Sequence, residues 1–310
     1  MDLRQLEYFV HVAELGSFTK AAAILDVAQP ALSRQVRRLE IELRQTLLYR
    51  NGRGVTPTEA GKRLLAHGRG ILHQFERARQ EVEQARGAPV GRIVVGVPHS
   101  ISQLITAPFA TAFRAAFPEA TVCITEGLTL HLQEWLLSGR IDVAILHDPV
   151  PTPSLEITPL REDPLFLIER RHSRGGEPKP VPVKALADFP LIIPSRPHPL
   201  RMMIETRLAN LGRQLSVAIE VDAVGGIVDL VSQGLGHAIV TQNALLIAPD
   251  AARLSARRIV SPRLSSALVL ATSAERPSTE LARRTTGLIR EVLSERLAQA
   301  ARASRSAPPR

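Results

Sequence analysis

The spacing of apolar residues divides the chain into a helical first part and a mixed second part. Up to about residue 86, apolar positions recur every three or four residues, which is the period of amphipathic helices. After about residue 91, short apolar runs alternate with helical stretches, as in an α/β sheet with covering helices. A chain of 310 residues is long enough for two or more domains.

The stretch from Phe18 to Leu43 predicts two short helices joined by a tight turn, after a first helix at residues 3–15. The hydroxyl of Thr19 is expected to cap the first of the two, which continues through an alanine-rich run. Pro30 suits the first turn of the next helix, where a backbone N–H has no intrahelical partner. This arrangement is the one found in helix-turn-helix proteins.

The helix that begins near Pro30 has one apolar face and one cationic face. Its apolar positions are predicted to be buried: Leu32, Val36, Leu39 and Leu43. The opposite face carries Pro30, Ser33, Arg34, Arg37 and Arg38. A helix-turn-helix inserts such a face into the major groove, where Arg and Gln side chains contact base edges. For the arginines alone, the alternative is an ordinary amphipathic helix with a solvated basic face.

A β-hairpin is predicted around Asn51-Gly52, because this turn sequence separates two apolar segments at residues 47–50 and 55–56. Arg50 and Arg53 would project from this wing toward phosphates or the minor groove. A solvated turn with no such role is the alternative interpretation.

A long helix is predicted from Thr58, its cap, to about residue 86. At 1.5 Å per residue it would be roughly 40 Å long, and such a helix is not stable without a partner. Apolar residues at near-heptad spacing indicate a dimerising coiled coil: Leu64, Ile71, Phe75 and Val82.

The second part begins with a β-α-β-α-β pattern, which requires parallel strands joined by right-handed crossovers. The predicted strands are 92–97, 121–126 and 142–146, with helices at 101–116 and 128–138. Further strands are predicted at 165–169, 191–193, 217–221, 238–240 and 268–271, and further helices at 200–211, 227–233 and 279–298. Residues 302–310 are expected to form a disordered tail.

Four segments of the first part carry a family resemblance. They are Leu6-Glu7-Tyr8-Phe9, Gly16-Ser17-Phe18-Thr19-Lys20-Ala21-Ala22, Ala28-Gln29-Pro30-Ala31-Leu32-Ser33-Arg34-Gln35 and Arg53-Gly54-Val55-Thr56-Pro57-Thr58-Glu59-Ala60-Gly61. The chain resembles the LysR-type transcriptional regulators, densely over about the first sixty residues and more loosely to about residue 300. The resemblance implies an α+β multi-domain protein with a winged helix-turn-helix, a long linker helix and a two-subdomain α/β effector domain like periplasmic binding proteins.

The expected domains follow from this resemblance. Residues 1–58 would bind DNA, residues 59–88 would form the dimerisation helix, and residues 89–301 would bind an effector. The effector domain would divide into one subdomain of residues 89–163 and 267–301 and another of residues 164–266. The family's DNA-reading positions fall on Gln29, Pro30, Ser33, Arg34 and Arg53, and we add Thr19, Arg37 and Arg50 from their positions on the same elements.

Polar residues at the carboxyl ends of the predicted strands form a candidate effector site, since ligands of open α/β sheets bind there. The candidates are Ser100, Thr129, His147, Ser195, Arg196 and Thr241. Helix N-termini at these points attract anions, so a small anionic metabolite is expected. For each Ser or Thr taken alone, a role as a helix cap is the alternative. Effector pockets of LysR-type proteins lie in this cleft, which favours the joint interpretation.

Composition adds limits on function. The net charge of +9 favours polyanion partners, although residues 29–56 contribute only six Arg against two Glu. The single cysteine, Cys123, excludes an internal disulfide framework, and packing is its expected role, with redox sensing as the alternative. With no apolar signal segment and no run of membrane-span length, we expect a soluble cytoplasmic protein.

We expect neither catalysis nor a metal or other cofactor. Gly234-Leu235-Gly236 lacks the third glycine of a dinucleotide site, and His147-Asp148 has no nucleophile beside it at a known spacing. The competing functions are a solute-binding protein and an enzyme on a doubly wound fold. The expected partners are double-stranded DNA, a small effector and further copies of the chain, as a homodimer or homotetramer, with RNA polymerase as an additional candidate and no membrane.

Overall fold

The computed structural model describes residues 1–51, 54–83, 90–171, 178–246 and 253–306. The chain divides into two compact units. The first comprises Met1–Ala88 with Ser138–Ile141, and the second comprises Pro89–Leu137 with Asp142–Arg310. Within the described residues, no helix is both long and apolar enough to cross a membrane.

The first unit begins with three helices, α1 (Leu3–Leu15), α2 (Phe18–Ile24) and α3 (Gln29–Leu43). A capping box of Asp2 and Gln5 starts α1, and Gly16 ends it in the left-handed region at φ 62°. The predicted cap of α2 was wrong. Ser17 caps this helix by accepting a hydrogen bond from the amide of Lys20, while Thr19 lies inside the first turn. A serine at residue 17 satisfies the exposed amides of the first turn, so Thr19 is left free for solvent.

The core of the first unit is formed by the facing sides of α1, α2 and α3. Leu32, Val36 and Leu39 are buried there as predicted, whereas Leu43 is 37% exposed. The prediction for Leu43 was wrong because this residue is the last of α3, after which Arg44 turns the chain away at φ 52°.

A two-stranded ribbon and a long helix complete the first unit. Strands β1 (Leu48–Asn51) and β2 (Gly54–Pro57) pair antiparallel, as the turn sequence predicted. Helix α4 (Glu59–Glu83) follows, and Thr58 caps it by accepting a hydrogen bond from the amide of Gly61 at 3.0 Å. The hydroxyl of Thr58 also donates to the carbonyl of Thr46 at 2.7 Å, which ties the start of α4 to the ribbon.

The second unit contains a mixed eight-stranded sheet. Its first half alternates β3 (Gly91–Pro98), α5 (His99–Ala116), β4 (Ala120–Gly127), α6 (Thr129–Leu137) and β5 (Val143–His147). These three strands are parallel, in the order β4-β3-β5, which confirms the predicted β-α-β-α-β pattern. Phe109 and Phe113 of α5 are buried against this sheet, together with the apolar residues of β3 and β5.

One strand, β6 (Leu155–Arg170), is 16 residues long and joins two layers of the second unit. Its first part pairs with β12 (Ser265–Ser273), and its last part pairs with β10 (Ala238–Thr241) and β11 (Leu254–Val260). The prediction placed a strand only at residues 165–169. The first part was missed because Pro159 and several charged residues interrupt its apolar alternation.

The remaining elements complete the second unit. They are β7 (Val181–Pro182), a 3₁₀ helix (Val183–Asp188), β8 (Leu191–Ile193), α7 (Pro199–Ala209), β9 (Val217–Glu220), α8 (Val224–Ser232), α9 (Gln242–Leu246) and α10 (Glu280–Ser306). Strands β8 and β9 pair parallel. Helix α10 packs against α5 in the core of the sheet's first half. It extends to Ser306, so the predicted disordered tail was wrong for residues 302–306, where alanine and arginine favour the helix. Residues 307–310 lie outside the described chain.

Candidate DNA-binding surface and effector cleft

The outer face of α3 forms a cationic groove. Ser33, Arg34, Arg37, Arg38 and Arg50 line a groove of about 540 Å³. Gln29 and Pro30, at the start of α3, are exposed next to this face along the helix. Buried Leu32 and Val36 fix the rotation of α3, so the arginines must point outward. The surface suits a polyanion, because four guanidinium groups lie around one shallow groove.

Arg50 of the wing is held against the helix-turn-helix. Its guanidinium carbon lies 4.4 Å from the centre of the Phe18 ring, and its Nη1 donates to the hydroxyl of Ser33 at 3.3 Å. A cation over an aromatic face is stabilised by the ring's electron density. The wing and α3 therefore present their arginines together, which the sequence alone did not predict. Arg53, the other predicted wing residue, lies outside the described residues.

Helix α4 carries an exposed apolar stripe. Ile71, Phe75 and Val82 are 43%, 53% and 80% exposed, and they recur at spacings of four and seven residues. Leu64, predicted to belong to the same stripe, is instead half-buried against the core of α1 to α3. The exposed stripe thus begins about two turns later than predicted.

The second unit contains a cleft whose inner part is a cavity of about 90 Å³. The sequence-predicted residues Ser100, Thr129, His147 and Thr241 line it together. They meet because the carboxyl ends of β3, β5 and β10 and the starts of α5 and α6 converge there. Most of the remaining lining is apolar, including Ile227, Ile239 and Val240.

His147 is oriented by a chain of hydrogen bonds that the sequence did not predict. The hydroxyl of Ser266 donates to Oδ2 of Asp148 at 2.5 Å, and the amide of Ala267 donates to Oδ1 at 2.8 Å. Because the Ser266 proton is engaged, its oxygen accepts from Nδ1–H of His147, which lies 3.2 Å away. The amide of His147 also donates to the hydroxyl of Thr129 at 3.1 Å. The imidazole is thereby held in one tautomer, with Nε2 as an acceptor.

Among the residues that the structure describes, three buried polar atoms of the cavity have no hydrogen-bond partner: the hydroxyl oxygen of Ser100, Nε2 of His147 and Nδ1 of His198. Burial, and to a smaller extent the charge of His198, lower the pKa of His147 to about 4. Burial also lowers the pKa of His198, against the attraction of the Asp222 and Asp148 carboxylates. At neutral pH the cavity therefore presents neutral imidazoles whose hydrogen-bonding capacity is unfilled.

The outer part of the cleft is a larger groove of about 900 Å³ that shares His99, Leu128 and Asp222 with the inner cavity. Glu126 and Asp229 line it, and His131 stacks on Trp135 with ring centres 6.1 Å apart. Glu126 accepts hydrogen bonds from Ser102 and from Nδ1 of His99, and these lower its pKa. This groove is therefore acidic at neutral pH.

Two predicted effector residues have other partners. The hydroxyl and the amide of Ser195 both donate to Asp222, at 2.6 and 2.9 Å, which lowers the pKa of that carboxyl. The guanidinium of Arg196 pairs with Glu205 at 3.0 Å and lines a neighbouring groove instead of the inner cavity. Neither pairing was predicted, because Glu205 is nine residues from Arg196 and Asp222 is 27 residues from Ser195, and no periodic pattern links them. His198, which starts α7 just after these residues, was missed although it lines the cavity.

Metal binding is not indicated by the arrangement of the described side chains. Within the described ranges, no three His, Cys, Asp or Glu residues lie together as a metal-binding group. The cleft combines an apolar lining with a few unpaired polar atoms, a composition typical of pockets for small organic molecules.

Comparison with known proteins agrees with this architecture. Residues 3–62 match the family described as bacterial regulatory helix-turn-helix protein, lysR family, and residues 86–294 match the LysR substrate binding domain. The nitrogen assimilation regulatory protein nac of Escherichia coli (strain K12) is 34% identical over 87% of this chain and 88% of its own. Its counterpart from Klebsiella aerogenes is 35% identical over 88% and 89%.

Solved structures show the same fold. CbnR, a LysR family transcriptional regulator, superposes with a TM-score of 0.69 at 26% identity, over 94% of this chain and 99% of CbnR. Full-length CbnR complexed with its target DNA gives a TM-score of 0.68 at 27% identity, over 94% and 100%. With a DNA-binding helix-turn-helix and an effector-binding domain that both match, the chain belongs to the LysR family of DNA-binding transcriptional regulators.

Proposed function

We propose that α3 reads operator bases through Arg34 while Arg37, Arg38 and Arg50 hold the DNA backbone. The observation that supports this is the groove in which these arginines gather around Ser33. Arg34 lies one turn into α3, on the end of a recognition helix that enters the major groove most deeply. Gln29, Pro30 and Ser33 complete the base-facing edge, and exposed Thr19 lies on the preceding helix.

Arg34→Ala is expected to weaken binding to the specific operator far more than binding to random DNA. A bidentate contact between arginine and guanine contributes about 1–3 kcal/mol of discrimination, whereas a phosphate contact contributes equally on any sequence. The measurement is a titration of fluorescent operator and scrambled duplexes at one salt concentration, with exposed Arg290→Ala of α10 as the control. Equal losses on both duplexes would show that Arg34 contacts only phosphate.

The exposed stripe of α4 supports a dimer. Ile71, Phe75 and Val82 leave large apolar side chains in water, and pairing two such helices would bury them. We propose that this stripe is the dimerisation seam, in place of the predicted set that included Leu64. A dimer would present two helix-turn-helix heads to the two halves of an operator.

Phe75→Glu is expected to convert the dimer into monomers at micromolar concentration and to abolish tight operator binding. The reason is that a buried carboxylate without a partner opposes pairing of the two helices. Light scattering and the operator titration measure the two effects. Ala66→Glu provides the control, since this exposed position lies on the face of α4 opposite to Phe75. A wild-type monomer, or a dimeric Phe75→Glu variant, would contradict the proposal.

The cleft is proposed to hold the effector, with Ser100 as a contact. A ligand there touches strand ends and helix starts on both sides of β6, so it can favour one arrangement of these elements. Ser100→Ala is expected to remove the change in operator footprint caused by effector while leaving the footprint without effector unaltered. If the purified variant still responds to the cognate metabolite, the effector site lies elsewhere. We further propose a cytoplasmic, non-enzymatic protein, since its relatives are transcriptional regulators.

A further inference from the structure

We propose that the effector is an uncharged or positively charged hydrogen-bond donor, such as an amine or an amide, that donates to Nε2 of His147. This inference rests on the proposed effector role of the cleft and assigns a chemical class to its ligand. It replaces the anionic metabolite that the sequence favoured.

The unfilled hydrogen bond at His147 has a fixed direction, from a ligand donor to the imidazole. Ser266 and Asp148 engage Nδ1 of His147 as a donor, so the buried Nε2 is a lone-pair acceptor without a partner in the cavity. A carboxylate has only acceptor atoms and cannot satisfy this nitrogen unless the imidazole takes up a proton. Burial holds the pKa of His147 at about 4, which opposes that uptake at neutral pH. An N–H or O–H group satisfies Nε2 directly.

The charged side chains of the whole cleft are acidic. Its lining contains the carboxylates of Glu126, Asp148, Asp222 and Asp229. Over the part of the chain that the structure describes, neither the inner cavity nor the outer groove is lined by a lysine or an arginine. An acid entering this cleft would meet like charges at a few ångströms, whereas an amine would meet opposite charges.

Two helix starts at the cleft, those of α5 and α8, already lie beside protein carboxylates. The start of α5 already has a carboxylate beside it, because Ser102 and His99 bind Glu126. Asp222 lies just before α8 and accepts the hydroxyl and amide of Ser195. The positive ends of these two helices are thus complemented by protein carboxylates, which reduces their attraction for an anionic ligand. Arg196, the predicted cation, is paired with Glu205.

The shape of the cleft defines the rest of the ligand. The inner cavity of about 90 Å³ is bounded by Ile227, Ile239 and Val240, so it accepts a compact apolar group. Ser100 and His147 contribute unpaired polar atoms to its lining. A small molecule with one apolar group and one donor group at its edge fits this arrangement, and a protonated amine would extend toward the acidic outer groove.

The test compares matched probes on the purified full-length protein. Propyl, isobutyl and phenyl skeletons are each presented as amine, amide and carboxylate at neutral pH, and binding is followed by ligand-observed NMR. We expect amines or amides to bind at least about tenfold more tightly than the carboxylate of the same skeleton. His147→Leu should weaken binding of the amide probes, which carry no charge for the carboxylates to attract, and His67→Leu, at an exposed position on α4, should leave it unchanged.

A second measurement uses the wild-type protein, so it does not depend on whether His147→Leu and His67→Leu fold. Nitrogen-15 spectra of the wild-type imidazoles should show His147 as the neutral Nδ1–H form between pH 6 and pH 8, and Ser266→Ala should mix the two tautomers. Preferential binding of carboxylates, absence of binding by every donor probe, or an Nε2–H tautomer would each overturn the inference. None of these results affects the DNA titrations, so a failure of the ligand class is distinguishable from a failure of the regulator function.

Discussion

Gly61→Ala is expected to destabilise the first unit by about 3 kcal/mol or more, the upper range for forcing extra volume into a packed site. A Cβ at this position would overlap the carbonyl oxygen of Leu47 and lie 3.0 Å from its carbonyl carbon. That oxygen accepts the amide of Thr58 at 2.9 Å, so it cannot move without breaking the junction between the ribbon and α4. The ribbon, which carries Arg50, and α4, which carries the exposed apolar stripe, would both be displaced.

The chain contains natural reporters and a matched control for this experiment. Both tyrosines, Tyr8 and Tyr49, lie in the first unit, whereas the single tryptophan, Trp135, lies in the second. Gly61→Ala should lower the midpoint of the tyrosine-monitored denaturation and leave the tryptophan-monitored midpoint unchanged.

Gly287→Ala, inside α10 with no atom within 4 Å of the added Cβ, should instead stabilise the second unit by about 0.5–1 kcal/mol. If Gly61→Ala stabilised the first unit as Gly287→Ala stabilises the second, helix propensity and not the contact with Leu47 would determine the effect.

The second unit is expected to lose about 3 kcal/mol of stability as the pH falls from about 6.5 to about 4, through His147 alone. The pKa of His147 is lowered to about 4 in the folded protein, by burial first and then by the charge of His198. In the unfolded chain a histidine titrates near its ordinary value of about 6.5. Between these values the unfolded state binds a proton that the folded state excludes, so acid favours unfolding. Above pH 6.5 this stabilising contribution is complete.

The measurement is urea denaturation monitored by the emission wavelength of Trp135 at several pH values. His147→Gln should reduce the dependence on pH between 6.5 and 4, because glutamine has no proton to gain. His67→Gln serves as the control, since His67 is exposed on α4 in the first unit. Burial lowers the pKa of His198 as well, so a smaller dependence of the same sign should persist in the variant. Equal slopes in the wild type and His147→Gln would contradict the assignment.

The helix-turn-helix was predictable because its determinants are local. Leu32, Val36 and Leu39 define the buried face of α3 by their spacing alone, and the arginines are then forced outward. The β-α-β-α-β pattern was predictable for the same reason, since strands and helices with short connections leave little choice of order. The missed cap of α2 shows the limit of such reasoning. Ser17 and Thr19 are both good capping residues, and only the path of the chain decides between them.

Tertiary contacts determine which polar groups of the effector cleft are already paired. The sequence predicted that Ser100, Thr129, His147 and Thr241 lie together, because strand ends meet at the edge of a sheet. It did not show that Ser266, 119 residues from His147, fixes the tautomer of that histidine. Nor did it show that Glu205 binds Arg196 and that Asp222 binds Ser195. The chemical preference of the cleft depends on these pairings.

The sequence by itself determined the class of protein, the DNA-facing helix and the strand ends that form the cleft, because period and local motif encode all three. The tertiary structure alone decided which polar groups remain unpaired at the cleft and which are already engaged. It also packed Leu64, half-buried, against the core of α1 to α3 and left Phe75 exposed. The physical reason is that burial and hydrogen-bond pairing depend on residues that meet only after folding, and these set the charge and donor pattern offered to a ligand.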